Sequence, residues 1–191
     1  MSNIGQIFCI WQGGLSIYGA LLGFLATSIV FLRKYGYNLW LWFDLMIPSI
    51  LFGLIILQLA NFMMQFSLGT PLGLDIPNDH SLAEYVEYRY RPTGFEAYQY
   101  FQPVALYQAF AYSIVFIISV LCLLINRKYK FLAEGTVFLF SVILMAIIRF
   151  GIGFMYFSVN KDMLLYPMQW IALTVMIATV FIYIVKRFQH N

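Results

Sequence analysis

Residues 135–158 read GTVFLFSVILMAIIRFGIGFMYFS, an almost unbroken apolar run with one charge, Arg149, well inside it. The run suits a helix crossing a bilayer, because ~20 residues at ~1.5 Å each cover a hydrocarbon core ~30 Å thick. A guanidinium at such depth costs roughly 2.5–3.5 kcal/mol on insertion scales, and as a rule it faces a protein interior or a watery cavity. Two readings are open. Arg149 either holds an anion inside the membrane, or is structural and snorkels to the nearer interface.

The rest of the chain fixes the setting. It is 62% hydrophobic and 10% charged, with mean hydropathy +0.81, whereas a soluble domain is about 25% charged. The apolar runs are too long for barrel strands and do not alternate with period two. The expected fold is therefore an all-α integral membrane protein, one transmembrane domain over residues 1–191. Its spans are expected at residues 15–32, 45–66, 103–125, 136–157 and 166–185, with an extracytoplasmic loop or cap at residues 67–102. A net charge of +3, with the basic residues clustered in loops, gives no case for nucleic acid. Cys9 and Cys122 form no disulfide framework, and His80 has no neighbours spaced as metal ligands. Residues 1–12 lack a basic start and an apolar core, so no cleavable signal peptide is expected.

Basic residues set the orientation. Arg33, Lys34, Arg127, Lys128, Lys130, Lys186 and Arg187 fall on one side, and Arg89, Arg91 and Lys161 on the other among acids. The first set belongs in the cytoplasm. The N-terminus and the long loop are then outside and the C-terminus inside. Arg149 lies ~20 Å up its span from the cytoplasmic end, counted at ~1.5 Å per residue. Gln58 comes to the same depth, Asn61 slightly higher, and Tyr18 and Tyr107 enter from the outside within about a turn. Gln58, Asn61 and Gln65 fall along one stripe of their span, which reads as an inward polar seam or as interhelical hydrogen bonding. Gly19 and Gly23 make a GxxxG that allows close approach of a backbone or a ligand. Glycines and polar groups from four helices at one level suit a pocket for an outer-leaflet lipid headgroup, with Arg149 against its phosphate.

The motifs carry a resemblance. Ile10-Trp11-Gln12-Gly13-Gly14, running on to Tyr18-Gly19, Asp44 with Pro48, and Asn61-Phe62-Met63-Met64-Gln65 followed by Gly69-Thr70-Pro71 and Asp75-Ile76-Pro77 stand in order along the chain. Gln102-Pro103-Val104-Ala105-Leu106-Tyr107-Gln108, Glu134-Gly135 and Arg149-Phe150 complete the set. Together they resemble the prolipoprotein diacylglyceryl transferase family over nearly the whole chain. By this match the family's first two spans have no counterpart here. The resemblance implies transfer of diacylglycerol from phosphatidylglycerol to the lipobox cysteine of a prolipoprotein, with glycerol phosphate leaving, in a bacterial plasma membrane. It implies Arg149, Tyr18, Asn61 and Tyr107 as catalytic residues. Gly13, Gly14, Gly19, Gln58, Gln65 and Gly69 become substrate contacts. The partners are a phosphatidylglycerol-like lipid and the signal peptide, and neither cofactor nor metal is called for.

The departures are mostly charges. Where the family has an arginine, this chain has Gln58; Ala60, Met64 and Phe66 replace a glycine, an asparagine and a glutamate. Gln102 and Gln108 replace a histidine and a glutamate, and Gly153 and Tyr156 replace a glutamate and an arginine. Losing one preorganised donor typically costs 10²–10³ in rate, so weakened or altered activity is expected. Two alternatives stay open: a non-catalytic relative that binds headgroup or signal peptide, and a transporter or scaffold in which Arg149 is ion-paired to an acid.

Overall fold

The computed structural model describes residues 17–73, 82–156 and 167–190. The chain divides into two compact units, Met1–Trp42 and Phe43–Asn191. Helix α1, Ile17–Lys34, belongs to the first. Arg33 and Lys34 in its last turn complement the helix dipole. Gly36 follows at φ +70°, and the Tyr37 N–H reaches back to the Leu32 carbonyl at 2.9 Å, so the helix closes in a glycine-dependent C-cap.

Helix α2, Leu39–Met63, starts six residues before the expected start of its span. The cause is local: the Asn38 side-chain oxygen accepts the Trp40 N–H at 3.0 Å, an N-cap placed ahead of the apolar run. Trp40, Trp42 and Asp44 are therefore helical, and Pro48 lies inside α2. At the other end Gln65 adopts φ +53° and Phe66 N–H bonds to the Asn61 carbonyl at 3.0 Å, a left-handed cap made without glycine.

Helices α3, Val104–Tyr129, α4, Thr136–Ile152, and α5, Pro167–His190, complete the second unit. A 3-10 turn, Gly153–Met155, extends α4. Four helices are long and apolar enough to cross a membrane among the described residues: Leu39–Met63, Val104–Tyr129, Thr136–Met155 and Gln169–Phe188. Large apolar side chains such as Phe52, Ile117 and Phe181 cover their outward faces, as a hydrocarbon solvent requires. Ile47, Leu51, Val115 and Val137 form the buried centre where α2, α3 and α4 meet.

Residues between α2 and α3 build a small cap, and it contains strands that the expected loop or cap at residues 67–102 did not include. Strands β1, Pro71–Gly73, β2, Glu84–Tyr85, and β3, Tyr100–Phe101, form an antiparallel sheet in the order β1-β3-β2. Pro71 pairs with Phe101, as does Glu84 from the other side. The sheet is anchored to the end of α4: Thr70 N–H bonds to the Met155 carbonyl at 3.1 Å, and Gly69 bridges Tyr156. The C-terminal end of α2, the N-terminal end of α3 and the C-terminal end of α4 thus gather under one sheet.

The opposite end is tied by Asp44. Its carboxylate accepts the Gly135 N–H at 2.5 Å and the Phe138 N–H at 2.7 Å. The capping position of α4 is Gly135, which has no side chain to do this itself, so α2 supplies the cap.

Candidate functional site

At the cap end, α4 carries Arg149 three residues before its C-terminus. The guanidinium is half-buried and, among the described residues, meets no carboxylate. Nor does it hydrogen-bond to Gln58, Asn61 or Tyr107. Its charge is felt at Tyr156, seven residues on.

Tyr156 belongs to an ordered chain of hydrogen bonds. Ser67 stands close to the Tyr156 hydroxyl. That hydroxyl donates to Gln108 Oε1 at 2.9 Å, and Gln108 Nε2 donates to the Tyr112 hydroxyl at 2.9 Å. Gln108 is fully buried, yet both ends of its amide are satisfied, which removes the penalty of burying it. The chain links the cap, α3 and the end of α4, and adds no charge beside Arg149.

The expected site residues distribute as follows. On α2, Gln58 is buried and accepts the Asn61 Nδ2–H at 3.1 Å, so these two share a seam. Gln65 has left the stripe, because its left-handed backbone lies beyond the helix. Its amide grips the cap instead, donating to the Tyr85 carbonyl at 2.7 Å and accepting the Glu87 N–H at 3.4 Å. Tyr107, in the first turn of α3, donates to the Leu82 carbonyl at 3.4 Å and also holds the cap. Gly69 is buried where a Cβ would stand 2.5 Å from Val104 Cγ2 and 2.6 Å from the Gln102 carbonyl oxygen. Its role here is close backbone approach. Tyr18 and Gly19 open α1, with side-chain placement outside the described residues; Gly13 and Gly14 lie outside them altogether.

Gly153 leaves room for a side chain from α5. A Cβ there would stand 2.6 Å from Gln169 Cγ. The fully buried Gln169 of α5 occupies that space and donates to the Phe150 carbonyl at 3.4 Å.

Sequence reasoning did not single out Ser67, Tyr112, Gln169 or Glu84. The Gln108–Tyr112 pair, four apart on one helix face, was findable from spacing. Glu84 was not. It is 5% exposed, and its Oε2 has no hydrogen-bond partner among the described residues. Burial pushes its carboxyl up to about 7. Between the end of α2 and the cap lies an open cavity of about 450 Å³, lined by Met63, Met64, Gln65, Tyr85, Glu87 and Tyr90. No cluster of metal-ligating side chains occurs among the described residues.

The arrangement can present one fixed cation and a set of neutral donors to an anion at the membrane's edge. Comparison with known proteins agrees with the motifs. The profile of the family "Prolipoprotein diacylglyceryl transferase" matches residues 1–185. A phosphatidylglycerol–prolipoprotein diacylglyceryl transferase of Geobacillus kaustophilus is 30% identical over 186 residues, covering 97% of this chain and 66% of that protein. The protein of that name from Lactobacillus acidophilus is 29% identical over 183 residues, 95% of this chain and 63% of its own length. One from Synechocystis is 33% identical over 104 residues, 54% of this chain and 35% of its own. The chain therefore spans under two thirds of the length of these relatives. On the ordered motifs, the membrane helices and a match over nearly all its residues, the chain belongs to the prolipoprotein diacylglyceryl transferase family.

Proposed function

We propose that this chain moves the diacylglyceryl group of a phosphatidylglycerol-like lipid to the cysteine thiol of a prolipoprotein, at the outer face of a bacterial plasma membrane. In that reaction the thiolate sulfur forms a bond to the glyceryl carbon, and the bond from that carbon to the phosphate oxygen breaks. Glycerol phosphate leaves with the electron pair, and the thiol proton passes to solvent. The N-terminus and cap face outward and the C-terminus inward.

The observation that supports this reading best is the guanidinium of Arg149 near the cap end of α4, which meets no carboxylate among the described residues. A fixed cation in a low-dielectric site is what a departing phosphate needs, because its charge grows as the bond breaks. Gln58, standing where the family has an arginine, leaves one guanidinium to do this work, so turnover is slower than in relatives with both. The same observation disfavours a scaffold in which Arg149 is held by an acid.

The test supplies purified full-length protein in detergent with phosphatidylglycerol and a lipobox peptide, and follows the peptide's mass. Addition of diacylglyceryl at cysteine is expected, with Arg149→Ala lowering the rate by about 10²–10³ without a matching fall in thermal stability. No addition at stoichiometric protein rejects the reading. Lipid retention without turnover would point instead to a non-catalytic binder.

A further inference from the structure

The outer edge of β2 is closed by a side chain and not by a strand. The Val86 N–H bonds to the Gln99 carbonyl on the β3 side, so the Tyr85 carbonyl and the Glu87 N–H turn the other way. Gln65 takes both: its Nε2–H donates to Tyr85 at 2.7 Å, and its Oε1 accepts from Glu87 at 3.4 Å. One residue of a parallel strand lying opposite Val86 makes this same pair of bonds with its own N–H and C=O. The carboxamide is a surrogate for one strand residue, and its second bond is longer than a well-made ladder bond.

We propose that this edge is the docking site of an extended peptide with aliphatic side chains, which displaces Gln65 and adds to the sheet beside β2. The inference rests on the acceptor half of the proposed function and gives the peptide a place on the chain. The edge offers an acceptor and a donor two residues apart, which a main chain satisfies. A phosphate only accepts, and would leave the Tyr85 carbonyl unmet. Beside the edge lies the cavity of about 450 Å³ lined by Met63, Met64, Gln65, Tyr85, Glu87 and Tyr90. Side chains alternate across a strand, so those of the added strand on the Tyr85 face would lie in that cavity. Met63 and Met64 are exposed there, and methionine repacks readily around differing aliphatic groups. Both stand where the apolar span of α2 ends, so a peptide anchored in the membrane meets the edge as it leaves the bilayer.

The experiment uses the full chain in detergent and a fluorescent lipobox peptide whose cysteine is replaced by serine. Binding is followed by anisotropy, with thermal stability and hydrogen exchange at the Glu87 amide measured in parallel. Gln65→Ala removes the internal competitor and is expected to tighten binding by ~3–10-fold. Its Glu87 amide should exchange fast alone and slowly with peptide. A merely structural Gln65 would give the reverse, weaker binding together with lost stability. Glu87 sits at φ −62° and ψ 142°, a conformation proline adopts, so Glu87→Pro deletes the edge N–H without bending the chain. It is expected to weaken binding at least ~5-fold, while Glu87→Ala, which keeps the N–H, stays within ~2-fold.

Gln65→Ala no tighter than wild type, Glu87→Pro equal to Glu87→Ala, or no peptide bound by any form overturns the proposal. So does protection of the Glu87 amide by phosphatidylglycerol in place of peptide, or protection that rises with protein concentration alone, which would make the occupant a second copy. Binding of this pattern without lipidation of the cysteine peptide leaves the docking site standing and removes the proposed activity. Lipidation with a KM for peptide untouched by Glu87→Pro does the opposite.

Discussion

Glu84 is the residue whose charge state the cap depends on. It pairs through its backbone with Phe101, and its side chain turns inward while Tyr85 stays exposed. Burial holds its carboxyl up at about 7 in the folded cap, against 4.5 in an open chain. Below about pH 4 both states are neutral. As pH rises towards 7 the open cap gains charge and the closed one does not, so closure weakens by up to ~3 kcal/mol and stays weakened above 7. Protection of the Val86 amide, which bonds to the Gln99 carbonyl at 3.0 Å, should therefore fall between pH 4.5 and 7 after correction for intrinsic exchange. Glu84→Gln should flatten that slope, and a slope unchanged in the variant would show that another group governs the cap. Nothing in the sequence marks this glutamate, because its neighbours are tyrosines and acids that read as exposed loop. Arg149 was legible for the opposite reason: a lone charge in hydrocarbon stands out without coordinates.

At the scale of elements, helix α4 depends on its neighbour for its start. Two backbone N–H groups at its N-terminus end on the Asp44 carboxylate of α2, and Asp44 is only 2% exposed. Asp44→Ala would leave those donors buried and unmet, at about 1–3 kcal/mol for an unsatisfied group. Thermal unfolding in detergent should show a clear drop, and Asp44→Asn, which keeps one acceptor, a smaller one. No drop for Asp44→Ala would mean that water satisfies this end. The existence of the helices was legible from hydropathy alone. Their ends were not, because Asn38 and Gln65 set them through side-chain and left-handed caps that an apolar window does not register. The strands were invisible for a related reason. Two or three residues each, they are held by pairing with one another and with Tyr156 and not by any alternation of their own.

For the whole molecule, the sheet covers one end of the α2–α3–α4 bundle and the Asp44 tie holds the other. The proposed orientation, drawn from basic-residue asymmetry, puts the covered end outside. Single cysteines placed at the exposed Thr93 in the cap and at the exposed Lys130 beyond α3, in a chain with Cys9 and Cys122 replaced by serine, should separate the two faces. A membrane-impermeant thiol reagent on intact cells is expected to label position 93 and spare 130 until the cells are opened. The opposite pattern would invert the orientation. Helix rise put Gln58, Asn61, Tyr107 and Arg149 at similar depths, but which of them touch could not be read from it. Gln65 and Tyr107 turned to the cap, and Gln108 found a partner that only tertiary folding brings near.

Gly153 and Gln169 can change only in a set order. With Gln169 packed into the space above it, no side chain fits at 153 unless 169 gives way first. A glutamate introduced at 153 on its own collides before it can contribute a charge, whereas trimming 169 first leaves a gap that such a glutamate could enter. Changes at these two positions are therefore coupled, and a library that varies 153 without 169 should be enriched in glycine at 153.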